Sequence, residues 1–479
     1  MPLITPFRKR GQPMPTISSA TTPPAQAATS ILQQRYVQFA ACLGFALVLL
    51  DVSVVNVALD SLSTAFHSGM TGLQWVVNAY ALVFAALLLS AGSLGDRLGA
   101  KRVFMLGFSC FTVASLLCGL ATGMPVLIAA RALQGLGAAL LVPNSLALLQ
   151  QVFPDSAQRS RAVGWWGAAG GAALAAGPVL GGLLVTWTSW RGIFLVNLPI
   201  GLLGLWLTYR HAPSSTLSSA LKGRSFDIAG QVTAIAALGS LTFALTEASR
   251  QGWSAAPVIA CLAIFVACAA LFIRIERQSA SPMLPLSLFQ NSTVSASAVI
   301  GLLINFAFYG MVFILSLFFS RIRHFDAQQT GFSFLPMMGV LVLTNLLAGP
   351  LSNRIGARQL TVAGLMLGAL GYLLLLPTNS SSPYALMIVP MLLSGVGISL
   401  TIPVITNATL SSVARSQAGI GSGLLNSARQ VGGVLGVAVF GFLAQGEDSA
   451  QFMWGMHCAM ALSTVLLALG AVLGHRYIK

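Results

Sequence analysis

From about residue 36 to the end, the chain alternates between long apolar runs and short polar breaks. The runs show no two-residue alternation of polar and apolar positions, so they are not half-exposed strands. Crossing the hydrocarbon core of a bilayer takes about 20 apolar residues in a helix. By that measure the pattern predicts about fourteen spans, near 36–59, 72–93, 102–121, 125–149, 162–184, 193–210, 227–247, 256–273, 293–319, 331–351, 360–377, 384–406, 419–444 and 453–474. In lipid every backbone polar group must be satisfied within the protein, so runs of this kind must be helices. A porin-type barrel is excluded, because its strands would alternate.

Composition narrows the class further. Hydrophobic residues make up 56% of the 479 and charged residues 7%, with a mean hydropathy of +0.84. That balance excludes a soluble globular domain and gives an all-α polytopic membrane protein. The net charge of +15 does not point to nucleic acid, since the bases are spread over short loops rather than gathered in one patch. The six cysteines lie inside apolar runs without a C-x-x-C pair, and read as small buried hydrophobes. The five histidines are scattered, with no metal-binding spacing, so neither a metal nor a cofactor is expected. Residues 1–35 are rich in Pro, Thr, Ser and Ala and lack the apolar core of a secretory signal, so they read as a disordered cytoplasmic tail.

The distribution of Lys and Arg sets the expected orientation. With the N-terminus in the cytoplasm, about nineteen of the 25 fall on the cytoplasmic side, including Arg97, Lys101, Arg102, Lys222, Arg224, Arg354, Arg358 and Arg415. Arg191, Arg250, Arg321 and Arg323 face outward, and Arg131 and Arg429 fall inside spans. The expectation is a multi-pass protein of the plasma membrane (a bacterial inner membrane) with both termini cytoplasmic. Trp187, Trp190 and Trp253 then fall at the outer aromatic belt.

One short pattern occurs twice. Gly92-Ser93-Leu94-Gly95-Asp96-Arg97-Leu98-Gly99-Ala100-Lys101 and Gly349-Pro350-Leu351-Ser352-Asn353-Arg354-Ile355-Gly356-Ala357-Arg358 share the same order: Gly, three residues, Asp or Asn, Arg, any residue, Gly, Ala and a base. Downstream of each copy, Gly135-Leu136-Gly137 through Pro143 matches Gly395-Val396-Gly397 through Pro403. Both offsets are roughly 260 residues, as an internal repeat requires. The expected division is a tail over 1–35, a six-helix bundle over 36–210, an inserted two-helix hairpin with its linkers over 211–292, and a second six-helix bundle over 293–479. Two related bundles with a site between them is the plan of an alternating-access transporter.

These residues resemble the major facilitator superfamily, and within it the fourteen-span drug:proton antiporters. Gly92, Asp96, Arg97, Gly99 and Lys101 match the family's turn between spans two and three. Leu127, Arg131, Gln134, Gly135 and Gly137 match its fourth-span motif, and Gly177, Pro178, Gly181 and Gly182 the fifth-span motif of antiporters. Leu50-Asp51-Val52 through Leu59 resembles the first-span motif of drug exporters, and Trp190-Arg191-Gly192 with Asn197 and Pro199 the fourteen-span branch. Ala100 and Ala173 depart from the usual residues at their positions. The resemblance implies the major facilitator fold and proton-coupled efflux of small amphipathic compounds. It makes the charged turn a cytoplasmic gate between the bundles and Gly177-Pro178 a flexing point that seals leaks, although Gly177-Pro178 fits plain helix packing equally well.

The residues themselves nominate a site. Asp51 lies in the first span, about 12 Å from its outer end. Burial in hydrocarbon disfavours a charged carboxylate, so Asp51 is the residue best placed to take and release protons. Arg131 lies about 9 Å from the outer end of the fourth span, at similar depth, and the two are expected to pair. By the repeat offset Asp51 corresponds to Phe308, so no carboxylate is duplicated. Asn305, Tyr309, Asn426 and Arg429 supply the polarity of the second bundle and are the candidates for a substrate cavity. The expected partners are a small-molecule substrate, protons and the lipid bilayer, with the chain acting as a monomer. No nucleophile–base cluster and no ATP-binding loop is present, so the chain reads as neither an enzyme nor an ATP-driven pump. The alternatives are a dedicated exporter of one metabolite or antibiotic and, more remotely, a membrane sensor.

Overall fold

A computed structural model of the protein describes residues 31–213, 227–279, 282, 284, 286–413, 418–445 and 448–478. The tail through residue 30, Lys222, Arg224, Arg415 and Glu447 therefore lie outside the described residues. The described chain is helical throughout: α1 (Ile31–Val57), α2 (Leu59–Phe66), α3 (Met70–Leu98), α4 (Ala100–Gly119), α5 (Met124–Val152), α6 (Ser156–Trp187), α7 (Gly192–Leu195), α8 (Asn197–His211), α9 (Ile228–Gln251), α10 (Ala256–Gln278), α11 (Ser292–Leu317), α12 (Ala327–Ser333), α13 (Leu335–Ile355), α14 (Ala357–Leu375), α15 (Tyr384–Ser412), α16 (Ala418–Leu443) and α17 (Ser449–Tyr477). Among the described residues, 13 helical segments are long and apolar enough to cross a membrane. In that count α7 and α8 form one crossing, as do α12 and α13, and α11 continues through a π turn over Phe318–Ile322. The run expected over 419–444 is the helix α16 and is not among the 13.

The polar breaks act as helix signals. Asp155, Asp227 and Asn291 each accept a hydrogen bond from a backbone N–H in the first turn that follows, and Asp326 forms a reciprocal capping box with Gln329. The charged turns end on Gly99 and Gly356, at φ 92° and 96°, a backbone region in which a side chain would clash. One boundary and one side-chain environment differ from the sequence reading. Helix α1 already includes Gln33 and Gln34, inside the expected tail, and these donate to the carbonyls of His211 and Val152, tying this polar part of the helix to the ends of α8 and α5. Trp190 is buried against Phe66 and Phe194, with Arg191 over its ring, so its environment is a protein core and not the aromatic belt.

Helices α1, α3–α6 and α8 pack among themselves, as do α11 and α13–α17. The helix α9 lies across the seam between the two groups, touching both α3 and α16. Gln231 at its start donates to the Ala86 carbonyl and accepts from the Ser90 hydroxyl. Farther along, Phe243 packs on Trp75, while Trp253, just beyond the helix, meets Phe442. Helix α10 packs on α9 and is otherwise exposed along an apolar surface, which suits a lipid surround.

Gln33 at the start of α1 donates to the His211 carbonyl and Thr293 at the start of α11 to that of Tyr477, and the opposite ends of these two stretches meet where Arg321 reaches Ser63, so both ends of the described chain lie toward one end of the molecule. At the far end the two groups touch on both flanks. On one flank Gln74 donates to the Ala438 carbonyl at 2.9 Å. On the other, Gly182 of α6 faces the Ala327 carbonyl and Gly331 faces that of Pro178, each too close for a side chain. Between these flanks Arg321 donates to the Ser63 hydroxyl at 3.0 Å and lies 3.7 Å from the Asp60 carboxylate. Toward the terminal end the groups part around a cavity of about 1060 Å³ between α1 and α6 on one side and α13 and α15 on the other.

Candidate functional site

Asp51 sits on the buried face of α1 and has no solvent exposure. Three side chains from two other helices converge on its carboxylate. Arg131 of α5 donates to Oδ2 at 2.5 Å, Gln134, one turn on along α5, donates to Oδ1 at 2.8 Å, and Asn197 of α8 donates to the same oxygen at 3.1 Å. Ser115 of α4 accepts from both Gln134 and Asn197 and donates to the Phe194 carbonyl. The terminal nitrogen of Arg131 that reaches Asp51 also donates to the Gln134 side-chain oxygen at 2.8 Å, its Nε donates to the Val76 carbonyl at 3.0 Å, and the guanidinium lies 4.4 Å from the centre of the Tyr80 ring. Six helices therefore contribute to one network in which a buried charge pair has its hydrogen bonds made, the condition under which such a pair is tolerated. Chemically, a proton arriving at Asp51 would cancel the charge that Arg131, Gln134 and Asn197 all address.

The second half is different. Arg429 and Asn426 share a face of α16 and are joined by a hydrogen bond of 3.3 Å. The Arg429 stem packs on Gly301 of α11, where a Cβ would approach it to 3.0 Å, and its Nε is buried without a partner. Tyr309 of α11 packs on Gly433 and stands within electrostatic reach of Arg429 and, across the seam, of Tyr80. Asn305 is buried on the same helix. None of Asn305, Tyr309, Asn426 and Arg429 lines the large cavity, whose wall instead carries Arg35, Gln38, Trp165, Trp166, Asn345 and Asn407.

The motif residues fall at helix contacts. Gly177 faces Ser53 and Gly181 faces Val54, both on α1, with distances that exclude a Cβ, while Gly182 faces α12. Pro178 stands inside a helix that runs unbroken from Ser156 to Trp187. Gly92 lies near Pro143 of α5 without crowding, and Gly99 supplies the positive φ of the turn. Lys101 donates to the Tyr209 and Ala212 carbonyls at the end of α8, where a cation favours the helix dipole. Arg97 lies in the last turn of α3. The side chain of Asp96 is outside the described residues.

Sequence reasoning quoted Gln134 and Asn197 only as motif members and did not single out Ser115 or Tyr80. One signal was available: each is a polar group roughly two turns or less from the same end of its span as Asp51, so counting depth across all spans would have gathered most of the network.

The sequence profile described as Major Facilitator Superfamily matches residues 41–437. The multidrug resistance protein Stp of Mycobacterium tuberculosis is 38% identical over 399 residues, covering 83% of this chain and 74% of that protein. The methylenomycin A resistance protein of Streptomyces coelicolor is 36% identical over 425 residues, covering 89% of this chain and 88% of its own length. Among solved structures, that of a D-xylose-proton symporter superposes with a TM-score of 0.68 at 14% identity, over 93% of this chain and 98% of that one, a likeness of fold alone. With its helices, its two packed groups and these matches together, the chain belongs to the Major Facilitator Superfamily.

Proposed function

We propose that this protein exports small amphipathic compounds, drugs or antibiotics among them, in exchange for protons. The observation that carries the proton coupling is the carboxylate of Asp51, fully buried in the first half and held by Arg131, Gln134 and Asn197. Protonation of Asp51 frees Arg131 from its counter-charge and so biases the equilibrium between two arrangements of the halves. The halves are the bundles 36–210 and 293–479, with 211–292 as an inserted hairpin, and both termini face the cytoplasm. The sealed far end is then the outer face, and the cavity of about 1060 Å³ opens inward. Gly92, Asp96, Arg97, Gly99 and Lys101 form the cytoplasmic gate in the opposite state, and the monomer is the working unit. The export reading is supported by relatives named for multidrug and methylenomycin A resistance. The second of these names also favours a narrower reading, a pump dedicated to one antibiotic.

The test is transport by the purified chain in proteoliposomes. An imposed pH gradient should drive a substrate dye uphill, and a sodium gradient alone should not. Uphill movement with sodium and none with protons would remove the coupling. A resistance profile of a host expressing the chain separates the broad pump from the dedicated one.

A further inference from the structure

Two arginines lie deep in the spans, and they are treated oppositely. Arg131 has a carboxylate, a side-chain amide, a backbone carbonyl and an aromatic face around it. Arg429, about 17 Å along α16, has the Asn426 oxygen at 3.3 Å, a nearby tyrosine and a buried Nε with no acceptor. Among the described residues it makes no ion pair. The sequence explains why. From residue 293 onward the only acids are Asp326, Glu447 and Asp448, all outside the spans. Of the acids within spans of the first half and hairpin, Asp51 is committed to Arg131, Glu247 accepts from Gln251 on α9, and Glu276 at the end of α10 accepts from the Leu284 N–H. A lysine so placed could shed its proton, but a guanidinium stays charged and retains the need for an acceptor.

The geometry points to a substrate that supplies this missing partner: an amphipathic acid whose carboxylate or phenolate meets Arg429, with Asn426 beside it. This rests on the export reading and specifies its substrate class. An organic cation would find no carboxylate on this side of the seam, since the spans of the second half carry no Asp or Glu, and would meet the like charge of Arg429 instead. The Asn426 bond holds the guanidinium by one nitrogen and leaves Nε and the second terminal nitrogen, the edge that binds a carboxylate through two parallel bonds.

Three probes on one frame test the assignment: 1-pyrenebutyrate, its methyl ester, and the analogue ending in trimethylammonium. The full-length protein in lipid nanodiscs should bind the carboxylate about ten-fold or more tightly than either of the others, the scale of a charge-assisted contact. Arg429→Gln should abolish that preference and Arg429→Lys should keep part of it. Equal binding of the three by the wild type, binding of none, or an undiminished preference in a folded Arg429→Gln protein would overturn the proposal, and the wild-type comparison decides even where that variant fails to fold. Proteoliposomes separate this inference from the export reading. Selective binding of the acid without gradient-driven movement would remove proton-coupled export and leave the acid preference standing. Uphill movement of the ester and the ammonium as fast as the acid would do the reverse.

Discussion

His67 and His324 both stand in the left-handed region, at φ 48° and 55°, and are the only non-glycine residues with positive φ among those described. Their separation is the roughly 260 residues that also part Gly99 from Gly356. Each follows the first crossing of its half. His67 closes α2, and His324 follows Arg323, the cap of the π turn that extends α11. The two halves therefore repeat a backbone feature at a place where their side chains have diverged, Phe66 and Ser68 flanking one histidine and Arg323 and Phe325 the other.

A left-handed conformation costs an ordinary residue roughly 1–2 kcal/mol, and a β-branched one is worst placed to adopt it. His324→Val should lower the thermal stability of the detergent-solubilised protein by about that amount, while His324→Gly should leave it level or raise it. The same pair of changes at His67 should follow the same order. Unfolding curves that rank valine above glycine at both sites would show that the turns tolerate another backbone.

Asp51→Asn keeps the shape of the side chain and removes its charge. The variant should still bind substrate but fail to concentrate it against a gradient. Wild-type protein should release protons on substrate binding in weakly buffered detergent, and the variant should release none. Equal release from both would place the proton elsewhere, with Glu247 the next acid to test. Arg131→Ala leaves the buried carboxylate without its counter-charge and should cost about 3–5 kcal/mol of stability. The Asp51→Asn, Arg131→Gln double variant should recover part of that loss in a thermal-unfolding comparison.

Gly182 lies where α6 and α12 meet, and a Cβ there would stand 2.5 Å from the Ala327 carbonyl oxygen. A backbone atom cannot swing aside as a side-chain tip can, so Gly182→Ala should push the far ends of the halves apart. A cysteine introduced at the neighbouring far-end position Gln328 should then react faster with an impermeant maleimide than in the parent. Unchanged labelling would mean that the helices absorb the methyl group without opening.

Gln231 fastens the start of α9 to α3 through Ala86 and Ser90. Gln231→Leu should loosen the hairpin, lowering thermal stability by about 1 kcal/mol for the lost hydrogen bonds. It should also change transport rate more than substrate affinity, since α9 spans the seam along which the halves move. A variant with altered affinity and normal turnover would show that the hairpin shapes the binding site instead.

Asp96→Asn tests the charged turn. In the gate reading it should slow turnover while leaving equilibrium affinity within a few-fold. Lost affinity with normal turnover would contradict a gating role.

What the chain determined alone was its class, most of its spans and a repeated motif. Those follow from the bilayer, which admits few charges and demands about 20 apolar residues per crossing, so a linear count suffices. The approximate depth of Asp51 and Arg131 followed too, since helical rise turns sequence position into depth. Azimuth does not follow. Spans this apolar carry almost no amphipathic signal to say which face meets which neighbour. Only the packed structure could bring Ser115, Gln134 and Asn197 onto Asp51, bury Trp190 in a core rather than at the lipid surface, and lay α9 across α3 and α16. The contrast between the two deep arginines was legible in part. Shared depth already pairs Arg131 with Asp51, and the spans of the second half carry no acid for Arg429, but only tertiary packing adds Gln134 and Asn197 to the first carboxylate and leaves the Nε of Arg429 without an acceptor, because the partners of a buried group depend on the neighbouring helices and not on the helix that bears it.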